Sequence, residues 1–243
     1  MLTLLLAATG TALATGLGAV PVFLLGTRAK ALQPLLLGIA AGTMGVASVA
    51  GLIMPGLDDG SPVSVGAGVA AGAAFLFAVR TALDARQRHV EHAMSAGLRA
   101  SVLVFAVLLV HSLPEGFAIG TAYASDTAGL SLFVILAIAI QNIPEGTSVA
   151  IPMAAAGFSR GRQFWAAVAT SAPQPVGAAI AFLLVEEIGS LLPVSFGFAA
   201  GAMLALVFAE LLPDALRGDR RGALLGTSLG MAGMLALSAA LGV

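Results

Sequence analysis

Long apolar stretches alternate with short polar connections along the whole chain. A helix needs about 20 mainly apolar residues to cross the hydrocarbon core of a bilayer, and eight stretches reach or approach that length. Five of the eight contain no charged residue. They run roughly over Leu2–Gly26, Ala31–Leu57, Ser61–Val79, Ala100–Ser125, Thr127–Ser159, Gln163–Val185, Ile188–Pro213 and Gly222–Val243. The pattern predicts eight transmembrane helices, because the alternating segments of about ten residues that are typical of a barrel do not occur.

The composition agrees with this pattern. Hydrophobic residues are 59% of the chain and charged residues 9%, whereas a soluble domain carries about 25% charged residues. Glycines spread through the apolar stretches suit close helix packing, as at Gly66, Gly68, Gly72, Gly197 and Gly201. We therefore predict an all-α, polytopic membrane protein that forms one domain over residues 1–243.

The charges predict an orientation. All 11 Lys and Arg residues fall in the connections after spans one, three, five and seven. The remaining connections carry acidic residues, which are Asp58, Asp59, Asp126, Glu186 and Glu187. The positive-inside rule makes the basic side cytoplasmic and places both termini outside. The chain has no cysteine, which excludes disulfides and thiolate ligands, and the composition suggests a bacterial inner membrane.

Two related signatures place glutamates inside apolar spans. Residues 111–116 read His-Ser-Leu-Pro-Glu-Gly and residues 141–146 read Gln-Asn-Ile-Pro-Glu-Gly. Residues four apart share a helix face, so His111 lies one turn from Glu115, and Gln141 one turn from Glu145. We expect the prolines to kink both helices. If the helices pack side by side, an imidazole, two carboxylates and an amide oxygen converge, a donor set that suits a divalent transition metal.

A structural role is the alternative for each residue taken singly. A lone intramembrane His or Gln is often an interhelical hydrogen-bond partner, and a Pro-Gly pair is often a kink. Two buried glutamates in a repeated frame favour an ion site, because a carboxylate at membrane depth is costly and is usually functional.

At these residues the chain resembles the ZIP (Zrt/Irt-like) family of divalent-metal transporters, in its bacterial branch. Segments 41–56, 171–178 and 200–213 also look like the family's second, sixth and seventh spans. The resemblance implies eight spans in a 3+2+3 inverted-repeat bundle. It also implies a primary metal site in spans two, four and five, made of Met44, His111, Glu115, Gln141 and Glu145.

Departures from the family pattern concern a second metal. Many relatives hold one with an Asn, an Asp or Asn, and a Glu; here those positions are Ser112, Asn142 and Gln174. With no further carboxylate available, we predict a single tight site in which these three are neutral outer residues or weak ligands.

Three further residues are candidates for an exit pathway. Glu210 stands where relatives often have His-Glu, and a structural role near a helix end is an equal alternative. His89 and His92 lie in the basic connection beside Arg86 and Arg88, where two histidines are more often simply solvated than metal-binding.

The expected function is import of a divalent metal, zinc first with cadmium or iron as alternatives, by alternating access. The resemblance implies that spans one, four, five and six move as a unit. No P-loop is present, so gradients must drive transport. We expect no enzyme activity, no cofactor and no nucleic-acid partner; the metal is the transported substrate.

A non-transporting receptor-like homologue, a carrier of other selectivity and a membrane hydrolase are the alternative functions. The outer faces of spans two, three, seven and eight are a candidate homodimer surface.

Overall fold

The computed structural model describes residues 1–90 and 111–243. Every regular element in these ranges is helical. Seven helical segments in them are long and apolar enough to cross a membrane, and they match seven of the predicted spans. They are Leu2–Leu25, Arg28–Asp59, Pro62–Ala82, Leu130–Ala155, Arg160–Glu187, Gly189–Arg217 and Arg220–Leu241. Part of the predicted fourth span, 100–125, lies outside the described residues; residues 111–124 of it are helical.

Several spans are built from more than one helix. Span one contains α1 (Leu2–Leu17) and α2 (Ala19–Leu25); span two contains α3 (Gln33–Ser48) and α4 (Met54–Asp59); span three begins α5 (Pro62–Val90). Residues 111–124 form α6, and span five is α7 (Leu130–Ala155). Span six contains α8 (Arg160–Thr170) and α9 (Pro173–Glu187). Span seven contains α10 (Leu192–Leu206) and α11 (Leu212–Arg217), and span eight is α12 (Arg220–Leu241).

The π-helical segments, where the chain departs from a regular α-helix, lie outside the two signatures. Helix α7 continues through Pro144 and Pro152, so the proline at which a kink is predicted lies within an unbroken helix. Instead, π-helical segments join α3 to α4 at Val49–Ile53 and α10 to α11 at Val207–Leu211. Each π segment is followed two residues later by a proline, Pro55 or Pro213. Single-turn π segments within α-helices are frequent at functional sites.

The matching π segments belong to a wider repeat. Span two packs on span eight, and span seven packs on span three, so the two pairs correspond when spans one to three are compared with spans six to eight. Helix α7 contacts α1, while α6 approaches α9. This correspondence around the central signature helices agrees with a 3+2+3 inverted repeat.

Glycines bring the two outer pairs into backbone contact. A Cβ atom at Gly68 or Gly72 of α5 would overlap backbone atoms of α10, and Gly197 and Gly201 of α10 face α5 in the same way. The predicted packing role of these four glycines is confirmed. Gly66 is different, since a Cβ there would meet nothing within 4 Å.

The same kind of contact joins α3 to α12. Gly38 and Gly42 of α3 meet backbone atoms of α12, and Gly226 and Gly230 of α12 meet α3. We call α3–α12 and α5–α10 the glycine-packed pairs. Their glycine faces are used within the chain, so these glycines give no support to a homodimer.

The basic connections share one end of the bundle. The guanidinium of Arg160, before span six, donates to the Phe23 carbonyl at the end of span one (3.3 Å) and lies over the Phe23 ring. Gly218, after span seven, lies against Pro34 at the start of span two. The connection predicted as a loop from Arg80 onwards is helical as far as Val90, because α5 extends beyond its apolar part.

Candidate metal site

Eight of the predicted site residues lie in the protein interior. Each has 4% or less of its surface exposed, although seven of the eight are polar or charged. They come from four helices, and they are Met44 of α3, His111, Ser112 and Glu115 of α6, Gln141, Asn142 and Glu145 of α7, and Gln174 of α9. Buried polar groups need partners, so their hydrogen bonds indicate what the site can accept.

The signature glycines explain how four helices can meet at this point. A Cβ at Gly116, next to Glu115, would overlap the Gln174 backbone, and a Cβ at Gly146 would overlap the Thr15 carbonyl. Glycine after each glutamate therefore lets α9 approach α6 and lets α1 approach α7. Side chains of spans one and six are thereby brought to the glutamates.

Two amides hold the Glu115 carboxylate. The Gln141 amide donates to Oε1 at 2.9 Å, and the Gln174 amide donates to Oε2 at 2.7 Å. These bonds link α6, α7 and α9 through one carboxylate. Hydrogen bonds to a charged acceptor are the stronger kind, so Glu115 is firmly positioned.

The amide network continues into span one. The Thr11 hydroxyl donates to Gln174 Oε1 (2.8 Å), and the Asn142 amide donates to the Thr11 carbonyl (2.8 Å) and to Gln174 Oε1 (3.3 Å). One turn along α1, the Thr15 and Ser171 hydroxyls are 2.6 Å apart. We call α1, α6, α7 and α9 the hydrogen-bonded group. The sequence prediction missed Thr11 and Thr15; their spacing of four residues in an apolar span was the available signal.

Three buried atoms beside this network have no hydrogen-bond partner within the described residues. They are His111 Nδ1, Gln141 Oε1 and Glu145 Oε1. Leaving a buried polar atom without a partner costs roughly 1–3 kcal/mol. An imidazole nitrogen, an amide oxygen and a carboxylate oxygen can all donate an electron pair to a cation, so the signature residues keep ligand atoms uncommitted.

The side chains are not gathered as a finished metal cage. Among residues 1–90 and 111–243, no three His, Asp or Glu side chains lie close enough together to hold a metal ion. Met44 packs in the main apolar cluster with residues that include Ala40, Phe133 and Ile138. The Glu115 carboxylate accepts amide hydrogen bonds from Gln141 and Gln174.

The predicted exit residues have different outcomes. Glu210 lies in the π segment of span seven, where its Oε1 is 2.6 Å from Arg80 Nη1 and 3.6 Å from His111 Nε2. The structure thus places Glu210 next to His111 of the first signature. His89 and His92 lie outside the part of the chain whose side chains the structure describes.

The fold and these residues define an all-helical polytopic membrane protein with a polar, carboxylate-containing centre. The family model of the ZIP zinc transporters matches residues 78–238. The chain therefore belongs to the ZIP family, whose members are transporters and not enzymes.

Bacterial relatives match over nearly the whole chain. Zinc transporter GufA of Myxococcus xanthus is 33% identical over 242 residues, covering 94% of this chain and 95% of that protein. Zinc transporter ZIPB of Bordetella bronchiseptica is 36% identical over 243 residues, covering 94% and 78%. A relative from Arabidopsis thaliana is 38% identical over 215 residues, which are 85% of this chain but 33% of that longer protein.

Proposed function

We propose that the chain carries zinc across the membrane through one site made by Met44, His111, Glu115, Gln141 and Glu145. The observation that carries this proposal is the set of uncommitted buried atoms on His111, Gln141 and Glu145. They lie on the two signature segments and supply the nitrogen and oxygen ligands that zinc prefers. The names of GufA and ZIPB support zinc, and cadmium and iron are the alternative substrates because they accept a similar donor set.

Binding requires the amides around Glu115 to rearrange. The Gln141 amide nitrogen donates to Glu115 Oε1, while the Gln141 oxygen has no partner among the residues that the structure describes. Rotation of this amide presents the Gln141 oxygen to an arriving cation and frees Glu115 Oε1 at the same time. The thioether of Met44 is the remaining, softer ligand, and it must turn from its packed position to reach the ion.

The neutral residues favour one metal and not two. Gln174 places an N–H group on Glu115 Oε2, where a second cation would otherwise bind, and its oxygen is engaged by Thr11 and Asn142. A dication there would meet an amide donor and gain no additional carboxylate. Gln174 thus acts as an outer residue that orients Glu115, Asn142 supports Gln174, and Ser112 is the third neutral outer residue.

Packing supports a division into two moving parts. The hydrogen-bonded group contains spans one, four, five and six, and the glycine-packed pairs contain spans two, three, seven and eight. Movement of one group against the other would expose the site alternately to the two sides. By the positive-inside rule the basic end is cytoplasmic, so the proposed direction of transport is into the cytoplasm. The proposed location is the inner membrane of a bacterium, with both termini on the periplasmic side. The whole chain acts as one domain.

The test is uptake of radioactive zinc and cadmium into proteoliposomes by the wild type and by Glu145→Ala, with bound zinc counted on the same preparations. Glu187→Ala is the matched control, because Glu187 is an exposed glutamate at the end of α9. We expect saturable uptake that is lost only in Glu145→Ala, with about one tight zinc per wild-type chain.

Other outcomes would decide between the alternatives. Tight binding without uptake identifies a receptor-like protein that does not transport. Two tight metals per chain contradict the mononuclear site, and uptake that survives Glu145→Ala places the site elsewhere. Uptake of other cations in preference to zinc identifies a carrier of different selectivity.

A further inference from the structure

A charged cluster connects the candidate site to the basic end of the bundle. Arg80 comes from α5, Glu210 from the π segment of span seven, and His111 from α6. Their side chains are progressively less exposed, at 40% for Arg80, 12% for Glu210 and 4% for His111. The cluster therefore forms a graded route from the surface to a primary-site residue.

One oxygen atom is shared at the centre of this cluster. Glu210 Oε1 is 2.6 Å from Arg80 Nη1 and 3.6 Å from His111 Nε2. A carboxylate oxygen facing an imidazole nitrogen is a pair of ligands that a divalent metal can bridge. The guanidinium lies against that oxygen as an ion pair, although among the described residues the oxygen has no partner with hydrogen-bond geometry, so a metal ion and Arg80 compete for the same place.

The chemistry of arginine makes this competition effective. The guanidinium stays charged at every physiological pH and hydrogen-bonds carboxylates well. A largely buried carboxylate such as that of Glu210 also needs a counter-ion, which gives Arg80 a reason to stay beside it. A dication that approaches Glu210 meets a fixed positive charge unless Arg80 moves away.

We propose that Arg80 is a tethered cation that masks a latent metal site formed by Glu210 and His111 and that leaves Glu210 when metal passes to the basic end. The masking keeps metal from binding tightly at Glu210 and His111, between the primary site and the basic end. The passage of metal rests on the proposed transport function, whereas the masked pair of ligands is a property of the empty protein and is tested separately.

The experiment counts zinc bound to the purified full-length chain in detergent. All variants are made in a Glu145→Gln background, which weakens the primary site so that the latent site is measured alone. Arg80→Gln is expected to add about one zinc per chain, and Arg80→Gln with Glu210→Gln is expected to lose it. Arg80→Lys keeps a cation and should bind no extra zinc.

Arg217→Gln is the matched control. Arg217 forms an exposed ion pair with Asp214 at the same end of span seven, but the paired residue there has no described histidine contact. No gain of zinc in Arg80→Gln, a gain that survives Glu210→Gln, or an equal gain in Arg217→Gln would each overturn the proposal. If Arg80→Gln does not fold, Arg80→Met removes the charge with a side chain better suited to an apolar surrounding and answers the same question.

The two proposals fail in different ways. If the proposed transport function is wrong, wild type and Glu145→Gln bind equal amounts of zinc, or zinc uptake is absent. If only the masking is wrong, the wild type binds and transports zinc, and removing the Arg80 charge leaves the zinc count unchanged.

Discussion

The helices of the glycine-packed pairs and those of the hydrogen-bonded group are held in close contact by different interactions. In the pairs, Gly72 of α5 and Gly197 of α10 let backbones touch, and dispersion and close fit hold the helices together. In the hydrogen-bonded group, glycines also bring backbones close, but polar side chains such as Gln141 and Gln174 then meet in the space between.

The two regions differ in whether their interhelical contacts can change partners. Buried glycine contacts have no adjustable partner, so the pairs have one way to fit. Amides can exchange partners by turning, and Gln141 and Glu145 keep oxygen atoms without partners in the described residues. A closely packed pair beside an adjustable polar group fits the alternating access proposed above, with all the proposed ligands except Met44 in the adjustable part.

The sharpest test of the comparison is Glu115→Gln in the hydrogen-bonded group. This change removes a carboxylate that accepts from both Gln141 and Gln174. We expect zinc uptake to fall by about 100-fold, the upper range for groups that orient or bind a metal, with the protein still folded. Uptake in proteoliposomes measures it, beside Glu187→Gln as an exposed control. Normal zinc uptake by Glu115→Gln would show that transport does not need this carboxylate.

A substitution in a glycine-packed pair should affect stability instead. Gly72→Val places a side chain against the Phe198 backbone, and we expect a loss of about 1–3 kcal/mol from overpacking. Gly66→Val on the same helix meets open space and is the matched control. Thermal unfolding in detergent measures the difference, and zinc uptake per folded molecule should not change. Equal unfolding temperatures for the two variants would show that the pair tolerates a side chain at this contact.

The smallest expected effect comes from changing one amide to a carboxylate. Gln174→Glu removes the donor to Glu115 Oε2 and supplies a third carboxylate at the same place. We expect bound zinc to rise about twofold, from one to two per chain, since a second cation then gains an anionic ligand. Zinc counted after gel filtration measures the change, with Gln163→Glu as a control glutamine that bonds to the Phe158 carbonyl. An unchanged count in Gln174→Glu would mean that other residues exclude the second metal.

Much of the fold could be predicted from local sequence properties. Hydropathy over about 20 residues located seven spans that the described residues confirm, since crossing a bilayer is a local requirement. Spacing of four residues placed Glu115 one turn from His111, because helix periodicity is also local. The predicted third span is close to the one observed, Pro62–Ala82. The loop predicted from Arg80 was wrong as far as Val90, since a helix can continue past its apolar part into the polar connection.

Contacts between distant spans were beyond such reasoning. Thr11 contacts Gln174 across 163 positions, and Arg80 reaches Glu210 between spans three and seven. No local pattern encodes which polar side chains will share a buried space. The resemblance to ZIP proteins supplied the ligand candidates, but it did not reveal that the amides of Gln141 and Gln174 hold Glu115.

The sequence by itself determined the kind of membrane segments and the places of seven of them, the positions of both signature glutamates and the collection of basic charge in alternate connections. These follow from hydropathy, helix periodicity and charge, which act over one segment at a time. Only the tertiary structure decided that Gly116 and Gly146 bring α9 and α1 to the glutamates, that Gln174 occupies Glu115, and that Arg80 covers Glu210. These features depend on how separate helices dock, because a buried polar atom takes its partner from whichever helix packing brings within reach.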